Sequence, residues 1–340
     1  MAKAERLQLI RSIEAERGTC LISYITSTRQ QLEVQMAIDS VRRIFDHLSA
    51  VKSSDGKIKV DLFLCSNGGD GIVPWRLVTL IREYAEKFSV LVPYRAFSAA
   101  TLTALGADSI IMHPMGMLGP TDPTVTNSFN PVEGGQRIGI SVEDVTAYIA
   151  LIKEDAGIQH EEELVQAFNK LSDKVHPLAL GNVKRSLSQS RMMAEKLLSL
   201  HMDGQRDAHK ISEIVDNFTS KLFYHGHPIN RREARDLGLA TVEDPSPSVE
   251  EAMWKLYLDY EREIKTEEPF NVASEFVALN PQMQPGQQAL TPMSKAKLAF
   301  VESSFRTDVF SLNYQLSGAK GTNGVTTVQM ITHSQGWQGE

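Results

Sequence analysis

Four short apolar runs in the first third of the chain, each separated from the next by a helical stretch, leave few folds open. Cys20–Thr26 (CLISYIT) reads as a buried strand, and Ile58, Val60, Leu62 and Leu64 alternate along a second that runs through Cys65. Ser89–Val92 and Ser109–Met112 (SIIM) form a third and a fourth. Between the first and second, Val34, Ile38, Val41, Phe45 and Leu48 recur at helical spacing, and Asp55-Gly56 marks the turn that follows. Ile72 to Phe88 predicts another helix, with Pro74 in its first turn, and Ala99 to Ala107 a short one of small residues. This alternation builds an α/β fold, a mostly parallel sheet with right-handed crossover helices, whose sites gather at the carboxyl ends of the strands.

From Ser141 the pattern turns mostly helical. Val142, Val145, Ile149 and Ile152 share one face, and Pro177–His201 and Ile211–Phe223 predict longer helices. A short helix with Glu233, Ala234 and Leu237 ends at Gly238, a brief strand Leu239–Val242 follows, and Ser248 opens a further helix through Glu263. Residues 280–288, rich in Pro and Gln, read as loop, and Asp308–Leu316 as an alternating edge strand. The stretch beyond Lys320 reads as a flexible tail or a strand that joins a partner. The expected organisation is a sheet-bearing domain over 1–245, a helical extension over 246–278, and a loop, edge strand and flexible tail over 279–340.

Bulk properties exclude several classes. The chain has 340 residues, enough for a sizeable core, and a formal net charge of -7, which argues against electrostatic capture of nucleic acid. Only Cys20 and Cys65 are present, both inside apolar runs, which fits a reducing compartment better than a disulfide framework. The charged start Met1-Ala2-Lys3-Ala4-Glu5-Arg6 leads into no apolar signal core, and no run approaches the roughly 20 apolar residues that span a bilayer. A cytoplasmic protein with no membrane span of its own is expected.

Two strand ends carry unusual turns. The second strand ends in Ser66-Asn67-Gly68-Gly69-Asp70, and the third is followed by Tyr94-Arg95-Ala96-Phe97-Ser98-Ala99-Ala100-Thr101. A serine at a strand-to-helix junction, beside a Gly-Gly turn, can assemble a nucleophile with an oxyanion hole, because amides at a helix start favour developing negative charge. The same residues also have plainer roles, Ser98 as a helix N-cap and Gly68-Gly69 as a turn needing positive φ.

With these motifs in order, the segment from Val60 to Pro123 resembles the ClpP/crotonase-fold serine peptidases, in particular the signal peptide peptidase (SppA) group and the serine dehydrogenase proteinase (SDH) family. The likeness rests on Ser66-Asn67-Gly68-Gly69, on Ala96-Phe97-Ser98-Ala99-Ala100-Thr101, on the run Ala104 to Met112, and on Leu118-Gly119-Pro120-Thr121-Asp122-Pro123. His225-Gly226-His227-Pro228-Ile229 through Leu239 resembles the closing helix-strand unit, so the likeness spans roughly residues 20–243. Asn67 stands where the SDH pattern has Pro, and Ser98-Ala99-Ala100-Thr101 where it has Ser-Gly-Gly-Thr; neither change removes a backbone amide. The resemblance implies a serine endopeptidase that forms an acyl-enzyme at Ser98, with the oxyanion on the amides of Gly69 (or Gly68) and Ala99. It implies no cofactor and no metal, a peptide or protein substrate, and a homo-oligomer.

Serine needs an adjacent base to become a nucleophile. The SppA group uses lysine, and two lysines are candidates. Lys153 lies 55 residues after Ser98, at the end of the helix that starts near Ser141. Lys184, in Pro177 to Arg185, stands in register with a helix of the SDH family. Either must be neutral to accept a proton, and so must be desolvated. His113 is the histidine alternative, although the ClpP pattern places its histidine nearer Gly119 and Pro120. His225 and His227 lack a matching carboxylate cluster, which disfavours zinc, and Asp108 and Asp122 fit capping and turn roles. The same fold also admits a catalytically inactive assembly protein or an acyl-CoA-processing crotonase-like enzyme. The second needs acidic residues that the serine segment does not supply.

Overall fold

The computed structural model describes residues 3–51, 56–220, 226–322 and 324–340. The four apolar runs become β1 (Cys20–Thr26), β2 (Ile58–Cys65), β3 (Ala85–Val92) and β4 (Ser109–Met112), parallel in the order β4-β3-β2-β1, with β5 (Val242–Glu243) parallel beside β4. The helices are α1 (Lys3–Arg17), α2 (Ile38–Ala50), α3 (Val73–Tyr84) and α4 (Ala99–Leu105) in the sheet-bearing part. The helical part supplies α5 (Val142–Ala150), α6 (Glu161–Ser172), α7 (Pro177–Leu198), α8 (Ala208–Ser220) and α9 (Arg231–Asp236). Then come α10 (Pro247–Ile264) and α11 (Val272–Leu279).

Both faces of the parallel sheet are covered, which is why its strands read as unbroken apolar runs. Ile22, Leu62, Val90 and Ile110 pack with Ile44 and Leu48 of α2 and Leu77 and Ile81 of α3. Leu21, Phe63, Leu91 and Ile111, pointing the other way, meet Ile10 and Ile13 of α1 and Leu256 and Tyr260 of α10. Each side chain buried this fully contributes about 1.5–3 kcal/mol.

The helix expected from Val34 begins only at Ile38. Residues 34–36 are extended because the Met36 amide donates to the Gly68 carbonyl at 2.8 Å and the Asp70 amide to the Met36 carbonyl at 2.9 Å. The third strand starts earlier than expected, at Ala85, since α3 ends at Tyr84.

The C-terminal region departs furthest from expectation. Strands β6 (Gln288–Leu290), β7 (Ser294–Ser303), β8 (Arg306–Lys320) and β9 (Thr326–Gly339) continue the sheet beyond β1, and make it nine-stranded. β7 pairs antiparallel with β1, as Ser23 with Glu302 and Thr26 with Ala299, and β8 lies between β7 and β9. Asp308–Leu316 is therefore an inner strand, and Thr326–Gly339, within the stretch read as a flexible tail or a partner-joining strand, pairs with β8 from end to end. Val328 and Met330 of β9 also pack on the apolar cluster around Phe276 and Leu316.

A buried ionic cluster fastens α1 to this extension. Arg6, 2% exposed, donates through Nε to Glu302 at 2.5 Å and through Nη1 to Asp259 at 2.8 Å. Glu302 also accepts from the Tyr260 hydroxyl at 2.7 Å and the Thr307 hydroxyl at 2.6 Å, so its charge is fully solvated by protein.

Candidate active site

Ser98 holds φ +52° and ψ -114°, a backbone conformation that side-chain-bearing residues rarely adopt, and its hydroxyl caps no helix amide. The plain N-cap role is therefore absent. Strain of this kind persists only where the surroundings over-determine it. Here the Ser66 amide donates to the Arg95 carbonyl at 2.9 Å and the Phe97 amide to the Ser66 carbonyl at 3.0 Å, laying the serine segment along the end of β2. Residues Arg95–Ala96 also pair with Met117–Leu118. On the helix side, the Thr101 hydroxyl accepts from the Gly119 amide at 3.1 Å and lies 2.7 Å from the Ala96 carbonyl and 2.9 Å from that of Gly119. One hydroxyl thus fastens the turn to the loop after β4.

The Gly-Gly turn is fitted to this elbow without slack. A Cβ on Gly68, at φ +96°, would meet the Phe97 carbonyl oxygen at 2.6 Å and the Ala99 nitrogen at 2.9 Å. A Cβ on Gly69 would meet the Met36 backbone oxygen at 2.3 Å. The Gly68 amide already donates to Ser66 Oγ at 3.0 Å, and Ser66 Oγ accepts from the Thr26 hydroxyl at 2.7 Å. The amides of Gly69 and Ala99 make no hydrogen bond among the described residues. Of the two glycines, then, Gly69 is the one whose amide stays unpartnered among the described residues, and it shares a cleft lining with Ser98.

These groups line a cleft of about 510 Å³ at the carboxyl end of β2, walled by Glu33, Val34 and Gln35 on one side and Ser186, Gln189 and Ser190 of α7 on another. The titratable side chains on its lining are Glu33 and Asp70. Lys184 is exposed on α7, two residues before Ser186 and so roughly 200° around the helix from the face that lines the cleft. Lys153 is exposed in a π-helical turn, Leu151–Asp155, that continues α5. It borders a different hollow, of about 350 Å³, formed with Ile149, Ile152, Leu164 and Phe168. The structure brings Ser98, Gly68, Gly69 and Ala99 together and leaves both lysines off the lining of their cleft.

His113 is packed elsewhere. It stacks on Trp254 of α10 with ring centroids 5.0 Å apart, and its Nδ1 accepts the Met115 amide at 3.0 Å. His225 lies outside the described residues, and His227 Nε2 meets Glu233 at 2.7 Å. Among the described residues no group of three His, Cys, Asp or Glu side chains could hold a metal ion. Asp108 binds Arg82 at 2.8 Å and the Phe88 amide at 2.8 Å, a structural role. Burial pushes the Cys65 thiol up to about 11 and that of Cys20 to about 12, so neither competes as a thiolate nucleophile.

The family described as ClpP-like SDH-type serine proteinase matches residues 1–192, which hold β1 to β4, the Gly-Gly turn and Ser98. The chain belongs to this family. Two uncharacterized proteins of Methanocaldococcus jannaschii are similar to this SDH-type serine proteinase. One, MJ1495, is 26% identical over 238 residues, 69% of this chain and 70% of the relative. The other, MJ0137, is 26% identical over 268 residues, 76% and 80% of the two chains. Among solved structures, one of the 1510-N membrane-bound stomatin-specific protease gives a TM-score of 0.36 at 14% identity, over 66% of this chain and 80% of that one. A second, of the same protease in complex with a substrate peptide, gives 0.27 at 15% identity, over 70% and 99%. No helix among the described residues of this SDH-type chain is long and apolar enough to cross a membrane.

Proposed function

We propose that this chain is a serine endopeptidase in which Ser98 Oγ attacks the carbonyl carbon of a peptide bond held in the cleft. The Oγ–C bond forms, the C–N bond breaks as the amine takes the serine proton, and water then hydrolyses the acyl-enzyme. The amides of Gly69 and Ala99 hold the oxyanion, each such donor contributing about 2.7–4 kcal/mol to transition-state stabilisation. The observation that carries this reading is the strained, uncapped Ser98, which lines one cleft with two amides that make no hydrogen bond among the described residues.

The base is Lys153 or Lys184, in a Ser-Lys dyad. Since neither lines the cleft in this conformation, the reading requires α5 or α7 to move relative to the elbow before the dyad forms. That move would also desolvate the amine, as a neutral lysine demands. A fluorophosphonate probe tests the scheme. Wild-type protein labels and Ser98→Ala does not; labelling that survives the substitution removes Ser98 from the role of nucleophile. Whichever of Lys153→Ala and Lys184→Ala abolishes labelling identifies the base, and retention in both overturns a dyad of Ser98 with either of these lysines. The cleft lining, with Glu33 and Asp70 as its titratable groups, favours one other reading, a catalytically inactive assembly protein; its signature is a wild type that never labels.

A further inference from the structure

We propose that β9 pairs edge to edge with the β9 of a second copy of this chain, joining two sheets into one. β9 is 14 residues long, roughly 48 Å of extended chain, and β8 occupies one of its edges from Thr326 to Gly339. Among the described residues no strand pairs with the other edge. The opposite end of the same sheet is closed by the two residues of β5. Proteins ordinarily blunt a free edge by keeping it short, or with charge, proline or a bulge, because a bare row of amides and carbonyls recruits another strand. β9 reads TTVQMITHSQGWQG and carries no Asp, Glu, Lys, Arg or Pro. Its one irregularity, at His333, leaves regular ladder on both sides.

The same composition selects the occupant. The chain carries a formal charge of -7, so most surfaces of two copies repel on approach. Between two β9 strands no antiparallel register sets like charges opposite each other, while Thr, Gln and Ser hydrogen-bond across to their own kind. Pairing about a two-fold axis makes the contact self-complementary. It also covers Ile331, an apolar side chain 38% exposed on the edge strand. No cleft residue takes part, so the pairing stands or falls independently of the peptidase reading.

Light scattering on the full chain at tens of micromolar, beside the variant Gln329→Lys, Ile331→Lys, Gln335→Lys, tests this. The expected result is twice the chain mass for the wild type and one chain mass for the variant, with the variant's cooperative melt retained. A monomeric wild type overturns the proposal, as does a folded variant that keeps the doubled mass. Should the variant lose its cooperative melt, hydrogen exchange of the wild type decides. β9 amides that exchange faster on dilution support the pairing, and β9 exchange that ignores dilution overturns it.

Discussion

A Cβ built on Gly68 would lie 2.8 Å from the Cβ of Ser98, closer than carbon atoms approach without displacement. The turn after β2 and the elbow before α4 are therefore packed around a missing side chain. Gly68→Ala should displace the serine segment and lower probe labelling and peptide turnover about 100-fold, the size of effect that a 1 Å misplacement brings. Gly71, also on the cleft wall, has nothing within 4 Å of its Cβ position, so Gly71→Ala should leave the labelling rate near wild type. Equal rates for Gly68→Ala and wild type would refute the close fit.

The positive φ of Ser98 is held at a cost to stability. Ser98→Gly should raise stability by about 1 kcal/mol by releasing that strain, while abolishing labelling. Ser98→Ala, which keeps a Cβ, should abolish labelling without the gain. Denaturant melts of the pair check this, and a glycine variant no more stable than the alanine variant would count against strain.

Thr101→Val keeps the shape of the side chain and deletes the hydroxyl between Ala96 and Gly119. A loss of about 1–3 kcal/mol is expected, the cost of leaving buried backbone groups unpaired. Thr101→Ser restores the hydroxyl and should recover both stability and labelling rate. Failure of the serine variant to outperform valine would show that the hydroxyl is not what fixes the elbow.

Burial holds the imidazoles of His47, His113 and His201 below their ordinary value of 6.5. At His47 the Asp308 carboxylate, 3.2 Å from Nε2, opposes the shift without cancelling it. The unfolded chain consequently takes up protons at a higher pH than the folded one. Stability is fully present above 6.5 and is lost as pH falls below it, toward the depressed folded values. Thermal midpoints measured from about pH 7.5 down to about pH 5 should fall, with a shallower slope in His47→Gln. A midpoint flat across that window would contradict the assignment.

Removing Arg6 strands two carboxylates in the layer between α1, α10 and the sheet. Arg6→Met should destabilise by about 3–5 kcal/mol, because Glu302 and Asp259 lose their buried countercharge. Adding Glu302→Gln and Asp259→Asn to the same chain should recover part of the loss. Chemical denaturation of the two variants measures both effects, and an additive loss in the second would show that charge is not the cause.

The sheet-bearing half was legible because strands buried on both faces leave unbroken apolar runs, and because their carboxyl ends hold Ser98 and Gly68-Gly69. The start of β3 was hidden by Glu86 and Lys87, which continue the charged face of the preceding helix in sequence. Of the last strands, Asp308–Leu316 of β8 was legible from its alternation, whereas β7 escaped a local reading because its partner, β1, lies far away in sequence, with Ser23 meeting Glu302, and β9 stayed ambiguous because it pairs through its backbone while Thr, Gln and Ser blur its alternation. The lysine candidates depend on helix register. A π turn at Leu151–Asp155 widens the helix, so the face read from Val145 and Ile149 leaves Ile152 buried and Lys153 in solvent. Nothing in the sequence distinguished Gly68 from Gly69 as donor, since the difference lies in Ser66 Oγ reaching back to one of them.

The pairing of β1 with β7 also has a consequence during synthesis. The ribosome delivers β1, β2 and the serine elbow long before residues 294–303, yet β1 is an inner strand of the finished sheet. Until those residues emerge, the nascent chain carries an unfilled β1 edge and an uncovered apolar patch at Leu21, Ile25 and Phe63, whose cover includes α10 and Phe300. Such an intermediate invites mispairing between neighbouring chains, and a chaperone that shields extended segments would act on it during that interval.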